Sequence, residues 1–250
     1  MRDRGPAAYV AEFVGTLMLV FFVTAAVSLF LARPSPQNPA PFVDWSVIGL
    51  VHVLLLFVLV QVLAAVSGAH FNPAVTVAMA ALRQIRPPDA LVYILAQLAG
   101  ALAAALLTKL LLNHVQNART VDFGAPAVSS SLEGKTTLGM LGEFIGTFAL
   151  VFTIVGVALN PRVDRALGPL AIGGALGLGV MVMGSLTLGS FNPARAFGPA
   201  LVAHAFHGGG KFLLVYVLAP VVAAVVAAGS YFMLFVAPGR KGREGIEPVG

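Results

Sequence analysis

The chain has no cysteine, which removes disulfides, thiol nucleophiles and Cys-based metal sites from consideration. It is also poor in charge, with Asp, Glu, Lys and Arg making up only 10% of its 250 residues. No cluster of Arg or Lys with interleaved aromatics forms a nucleic-acid groove, so the formal net charge of +5 needs another explanation. His114, His204 and His207 show no metal-ligand repeat and read as interfacial residues near the ends of apolar runs. No nucleophile stands beside a base and no phosphate loop is visible, so neither an enzyme nor a cofactor site is expected.

What fills the chain is hydrocarbon: 58% of residues are hydrophobic and the mean hydropathy is +0.93, far outside the range of soluble domains. A run of about 20 apolar residues crosses a roughly 30 Å hydrocarbon core. Six such runs are read, at 7–31, 46–66, 89–112, 138–159, 167–187 and 212–236, which predicts an all-α, multi-pass membrane protein. The opening "MRDRG" before an apolar stretch has the look of a secretory signal, but the run is too long and holds Glu12. It is expected to stay as the first span. Met181 and Met183 read as core packing.

Orientation follows from Lys and Arg, which resist translocation. The two tails and the even-numbered loops hold Arg2, Arg4, Arg83, Arg86, Arg162, Arg165, Arg240, Lys241 and Arg243. The opposite side holds Arg33, Lys109, Arg119, Lys135, Arg195 and Lys211. Nine against six, in shorter segments, puts both termini on the cytoplasmic side of a cell membrane and accounts for the basic surplus by topology.

The sequence also repeats itself. "AEFVGT" at 11–16 returns as "GEFIGT" at 142–147, and each is followed by an Asn-Pro-Ala stretch. Glu12 to Asn72 is 60 residues and Glu143 to Asn192 is 49; the Pro-rich "ARPSPQNPAPFVD" after the first span absorbs the difference of 11. Each repeat, about 7–112 and 138–236, holds three spans. An odd number makes the second copy enter from the opposite side, so the two are expected to form inverted repeats within one transmembrane domain covering 1–250.

Between the second and third spans, "NPAVTVAMAAL" separates Asn72 from Arg83 by eleven residues, which at about 1.5 Å each reach roughly 16 Å, half a membrane. The segment can dip in without crossing. Asn favours the N-cap and Pro the first helical position, so Asn72-Pro73-Ala74 and Asn192-Pro193-Ala194 are read as the starts of two re-entrant half-helices. The irregular backbone before each, "SGAHF" and "LGSF", is tolerated at membrane depth only if buried in protein or lining a water path. The pair therefore reads as a pore centre.

The boxes "SGAHFNPAVT" and "FNPARAFGPAL", with the two "EF-G-T" helix starts, closely resemble the aquaporins, or major intrinsic proteins, over nearly the whole chain. The resemblance implies six spanning helices plus two half-helices, a passive water channel that excludes protons and ions, and a homotetramer with one pore per subunit. Asn72 and Asn192 would donate to water at the pore centre while opposed helix N-termini repel cations. Carbonyls of Gly68, Ala69 and His70, and of Leu188, Gly189 and Ser190, would accept water's hydrogens. His52, Val180, Gly189 and Arg195 would form the selectivity filter.

That filter departs from strict water channels, whose usual Phe and His stand where this chain has His52 and Val180. It is similar to some plant tonoplast aquaporins that pass ammonia, and His52 brings a side chain whose unperturbed pKa lies near neutrality. Glycerol facilitators typically carry Asp after the Arg and a base four residues on, where this chain has Ala196 and Ala200. Glu12 and Glu143 are expected to be scaffold, accepting hydrogen bonds from loop backbone, although a proton- or ion-coupled secondary transporter would use them as coupling sites. Gly142 with Gly146, and Gly173 with Gly177, are expected to let helices cross closely.

Overall fold

A computed structural model describes residues 5–31 and 44–237. Arg2, Arg4, Arg33, Arg240, Lys241 and Arg243, six of the charges that bear on orientation, lie outside the described residues, as does most of the Pro-rich stretch after the first span.

The described chain is helical: α1 Pro6–Phe30, α2 Trp45–Ser67, α3 Pro73–Ala81, α4 Pro87–Leu112, α5 Gln116–Thr120, α6 Thr136–Leu159, α7 Gly168–Thr187, α8 Pro193–Val202 and α9 Gly209–Val236. Six of these, α1, α2, α4, α6, α7 and α9, are long and apolar enough to cross a bilayer, and their limits fall within a few residues of the runs read from hydropathy. Proline near the start of α1, α3, α4, α7 and α8 presets φ where no backbone donor is needed. Asp44 caps α2 by accepting from Val47 N at 2.9 Å, and Gly68, at φ 92°, ends it in the left-handed region.

The short helices α3 and α8 are half-membrane length and do not cross. α2 packs on α7, α1 on α4 and α6 on α9, while α3 lies against α9 and α8 against α4. Small residues make the contacts close. A Cβ on Gly177 would sit 2.6 Å from the Gly49 carbonyl oxygen, and Gly173 abuts the Val53 carbonyl, so this pair lets α7 cross α2 backbone to backbone. Gly142 and Gly146 do something else: the first faces the Thr187 side chain and the second receives the Phe191 ring. Large apolar side chains such as Leu110, Leu178 and Met233 are exposed on the outer surface, as suits a body whose surroundings are lipid. Over Leu214–Leu218 and Phe232–Val236, α9 relaxes into π-helical turns, a feature that hydropathy does not signal.

Candidate pore and constriction

Asn72 and Asn192 are the N-caps of α3 and α8. Asn72 Oδ1 accepts from Ala74 N at 2.9 Å, and Asn192 Oδ1 accepts from Ala194 N at 3.0 Å and Arg195 N at 3.3 Å. Their amide nitrogens cross over: Asn72 Nδ2 donates to Phe191 O at 2.8 Å, and Asn192 Nδ2 to Phe71 O at 2.9 Å. The two half-helices thus meet N-terminus to N-terminus, each cap tied to the loop of the other. One proton of each NH2 remains, and both side chains line the same cavity. Pro73, Ala74, Pro193 and Ala194 are buried in the first turns behind them. The sequence reading has each asparagine donate to water, and the cross-ties made by the other amide proton are what it missed.

The loops before the caps repeat one another in dihedral angle. Gly68 and Leu188 have φ of 92° and 62°, Ala69 and Gly189 of 53° and 55°, Phe71 and Phe191 of 49° and 50°. Four of these are non-glycine residues in the left-handed region, which costs of order 1 kcal/mol or more each and persists only when the surroundings hold it. Buried carboxylates do so. Glu12 Oε1 accepts from Ser67 Oγ at 2.7 Å and His70 N at 2.9 Å, while Oε2 accepts from Phe71 N and Gln97 Nε2, both at 2.7 Å. Glu143 Oε1 accepts from Thr187 Oγ1 at 2.7 Å and Ser190 N at 3.0 Å, and Oε2 from Phe191 N at 2.7 Å. Tyr93 and Tyr216 add hydroxyls on Ser67 O and Thr187 O. The Phe71 ring fills the space above Gly15, and the Phe191 ring that above Gly146.

With the loop amides taken, the carbonyls of Gly68, Ala69, Leu188, Gly189 and Ser190 receive no hydrogen bond from any described residue. Gly68, Ala69, His70 and Ser190 line a cavity of about 440 Å³; Leu188 and Gly189 do not. The rest of the lining is largely apolar and comes in pairs from the two repeats, Leu19 and Val23 of α1 with Leu150 and Ile154 of α6, and Leu56 of α2 with Leu176 of α7. Its polar lining also includes Gln84, Arg165, His52 and Arg195.

His52 and Arg195 are 3% and 2% exposed. Arg195 Nη1 donates to Gly124 O at 2.9 Å, which leaves Nε and Nη2 without a protein partner. Gly124 has φ 82°, and a Cβ there would lie 3.0 Å from Thr24 Cα, so only glycine lets that carbonyl reach the arginine. Nothing in the sequence reading pointed to Gly124, because its role depends on a contact between residues 71 positions apart. His52 Nδ1 is 2.8 Å from Ile48 O, and Nε2 has no protein partner. Val180 is fully buried and touches Gly189, with 3.2 Å from Val180 Cα to a Cβ built on that glycine, yet neither lines the cavity. Of the four residues read as a filter, His52 and Arg195 line the cavity, and Val180 and Gly189 pack on each other.

Residues 5–231 match the family model of the major intrinsic proteins. The chain belongs to this family. It is 36% identical over 233 residues to aquaporin TIP2-1 of Zea mays, covering 92% of this chain and 87% of that protein. It is 37% identical over 224 residues to nodulin-26 of Glycine max, covering 89% and 75%, and 34% identical over 235 residues to aquaporin AqpM of Methanothermobacter thermautotrophicus, covering 89% and 94%. Among solved structures, the fold matches the aquaglyceroporin from Plasmodium falciparum with a TM-score of 0.76 at 22% identity, over 94% of this chain and 98% of that one. This aquaporin-family protein is therefore a multi-pass membrane channel and not an enzyme.

Proposed function

We propose that the chain is a passive water channel that excludes protons and ions and also passes small neutral solutes such as ammonia. The observation that carries the reading is the crossed pair of caps, with each asparagine donating to the opposite loop and holding one amide proton over a shared cavity. Water at that point is offered donors only, while the carbonyls of Gly68, Ala69 and His70 on one side, and of Ser190 on the other, offer acceptors. A file of waters is then oriented oppositely in its two halves, which interrupts proton hopping, and two positive helix ends oppose cations. In the filter, Arg195 acts by its charge and His52 by its polarity from the cavity lining, while Val180 and Gly189, which pack on each other and do not themselves line the cavity, act through the width they leave for it. Glu12 and Glu143 are scaffold: each is occupied by three or more donors, which leaves no carboxylate at the midplane to couple a cation, as a secondary transporter needs. Glycerol permeation is disfavoured by Ala196 and Ala200 after the second box. The domain is one unit over 1–250, with both termini cytoplasmic in a cell membrane, and four copies assemble with one pore each.

Stopped-flow shrinkage of proteoliposomes in impermeant osmolyte, beside ammonia and glycerol uptake, tests this. Fast water flow with ammonia flux that His52→Phe combined with Val180→His removes is the expected result. Absence of water flow overturns it. Because the chain has no cysteine, mercury is expected to leave the flow unchanged.

A further inference from the structure

Lys109 is an ionisable side chain on a membrane span, one turn before the end of α4, among Leu106, Leu107, Leu110 and Leu111, all exposed on the outer surface. A lysine so near a helix end can lay its stem along apolar surface and send the ammonium out to water. This one turns inward. Its Nζ donates to Val202 O at 3.0 Å, 93 positions away, and stands over the Phe123 ring, 5.9 Å from its centre. Among the described residues no carboxylate pairs with it. A cation in a span with such partners asks for a function.

Both contacts fall on the parts that hold Arg195. Val202 is the last residue of α8, the half-helix that carries the arginine. The carbonyls of Pro199, Ala200 and Leu201 accept from the backbone N–H groups of Ala203, Ala205 and His204, but that of Val202 receives no backbone donor among the described residues. The lysine therefore completes this helix end, where a cation also suits the dipole. Phe123, the second partner, adjoins Gly124, whose carbonyl is the protein acceptor of the Arg195 guanidinium. The turn there is strained: φ is 51° at both Asp122 and Phe123, left-handed values that a non-glycine residue keeps only when its surroundings hold it. Phe123 is buried among Leu112, Val115, Ala118, Ala25 and Ala203, and the ammonium adds its attraction for the ring from α4.

Resting on the channel reading above, we propose that Lys109, which does not line the cavity, is a positioning residue for Arg195: one ammonium fixes both the end of α8 and the turn that presents Gly124 O, the two supports between which the arginine is held. Without it the helix end and the turn are free to separate, the guanidinium loses its fixed place, and larger neutral solutes are rejected less well. The counterpart of Lys109 on α9 is Phe232, and the end of α3 carries instead Gln84 Nε2 donating to Leu82 O at 2.9 Å. The clamp thus serves the half-helix that bears the arginine.

Lys109→Met keeps the apolar stem and removes the charge, whereas Lys109→Arg keeps a cationic donor. In proteoliposomes the glycerol-to-water permeability ratio is expected to rise about tenfold in Lys109→Met, the scale of one lost hydrogen bond from a charged donor, and to return toward the native value in Lys109→Arg. Solid-state nitrogen NMR on arginine-labelled protein, with the Arg195 signals identified by their loss in Arg195→Val, is expected to show two distinct Nη nitrogens in the native chain and their merging in Lys109→Met. A Lys109→Met chain that melts lower while its ratio and its Arg195 spectrum stay native confines the lysine to a structural role and overturns the proposal, as does a Lys109→Arg ratio equal to that of Lys109→Met. Where Lys109→Met does not assemble, Phe123→Leu, which removes the ring and leaves an apolar side chain in its seat, is expected to move both readings the same way by a smaller step; no movement there overturns the proposal too. A native chain that conducts no water fails the channel reading instead, and the Arg195 spectrum still decides the clamp.

Discussion

The two halves of the molecule share a skeleton and differ in what they hang on it. Glu12 and Glu143, Ser67 and Thr187, Tyr93 and Tyr216, Gly15 and Gly146 perform the same tasks at related places, down to loop dihedrals that match within a few degrees at Ala69 and Gly189. The polar side chains of His52 and Arg195 are not duplicated. Stepping both boxes by the same count pairs Arg195 with Val75 and His52 with Ile172, and all four line the cavity. The cavity lining therefore carries a cation and an imidazole at two positions whose counterparts in the other repeat are aliphatic side chains. The scaffold has to be built twice because each half-helix needs its own loop held; discrimination needs to be built only once along a single path.

The halves also differ in how the carboxylate is used. Gln97 Nε2 donates to both Glu12 and Thr76, at 2.7 and 3.0 Å, whereas the related position on α9 is Pro220. The first loop is thus tied more densely than the second.

The largest effect that would test this comparison is expected from the carboxylates. Glu12→Leu removes the acceptor of four donors and Glu143→Leu that of three. At about 1–3 kcal/mol for each buried donor left unpaired, both variants melt far below the native chain in detergent, Glu12→Leu the lower; the reverse order would break the claim of a denser first half. Next, Gly15→Ala and Gly146→Ala drive a methyl into the Phe71 and Phe191 rings. Each is expected to cost about 1–3 kcal/mol by overpacking, and melting curves that separate the two would show that the ring seats are not equivalent.

Arg195→Val gives that position the residue of its counterpart in the first repeat, Val75. Its expected effect is a roughly tenfold rise in proton or small-cation leak through proteoliposomes, from loss of a fixed intramembrane charge; an unchanged leak would assign the whole barrier to the helix N-termini. The smallest effect belongs to Gln97→Leu, about 1 kcal/mol for its hydrogen bonds, read by melting. A chain that melts as before would mean that the extra tie on Glu12 contributes nothing.

Much of this was legible beforehand. The spans follow from hydropathy because a bilayer imposes one length on every crossing. The half-helices follow from Asn-Pro because cap and first-turn preferences are local. The hydrogen bonds that Glu12 and Glu143 accept from loop backbone were legible through the "EF-G-T" repeat, and the same repeat held the clue to Gly15 and Gly146, which the sequence reading assigned to helix crossing only at Gly146. Tyr93 and Tyr216 stand at related places in the third and sixth spans, a pairing that was there in the sequence and went unused.

Composition, spacing and the internal repeat were enough for a membrane protein of six spans, its inversion and the two capped half-helices, since each rests on local preference or on the thickness of the solvent. The crossed asparagine ties and the grip of Gly124 on Arg195 came from the fold alone. Those contacts join residues between 71 and 121 positions apart, and a hydrogen bond of that kind is set by which backbone happens to approach, for which no single stretch of sequence carries a mark.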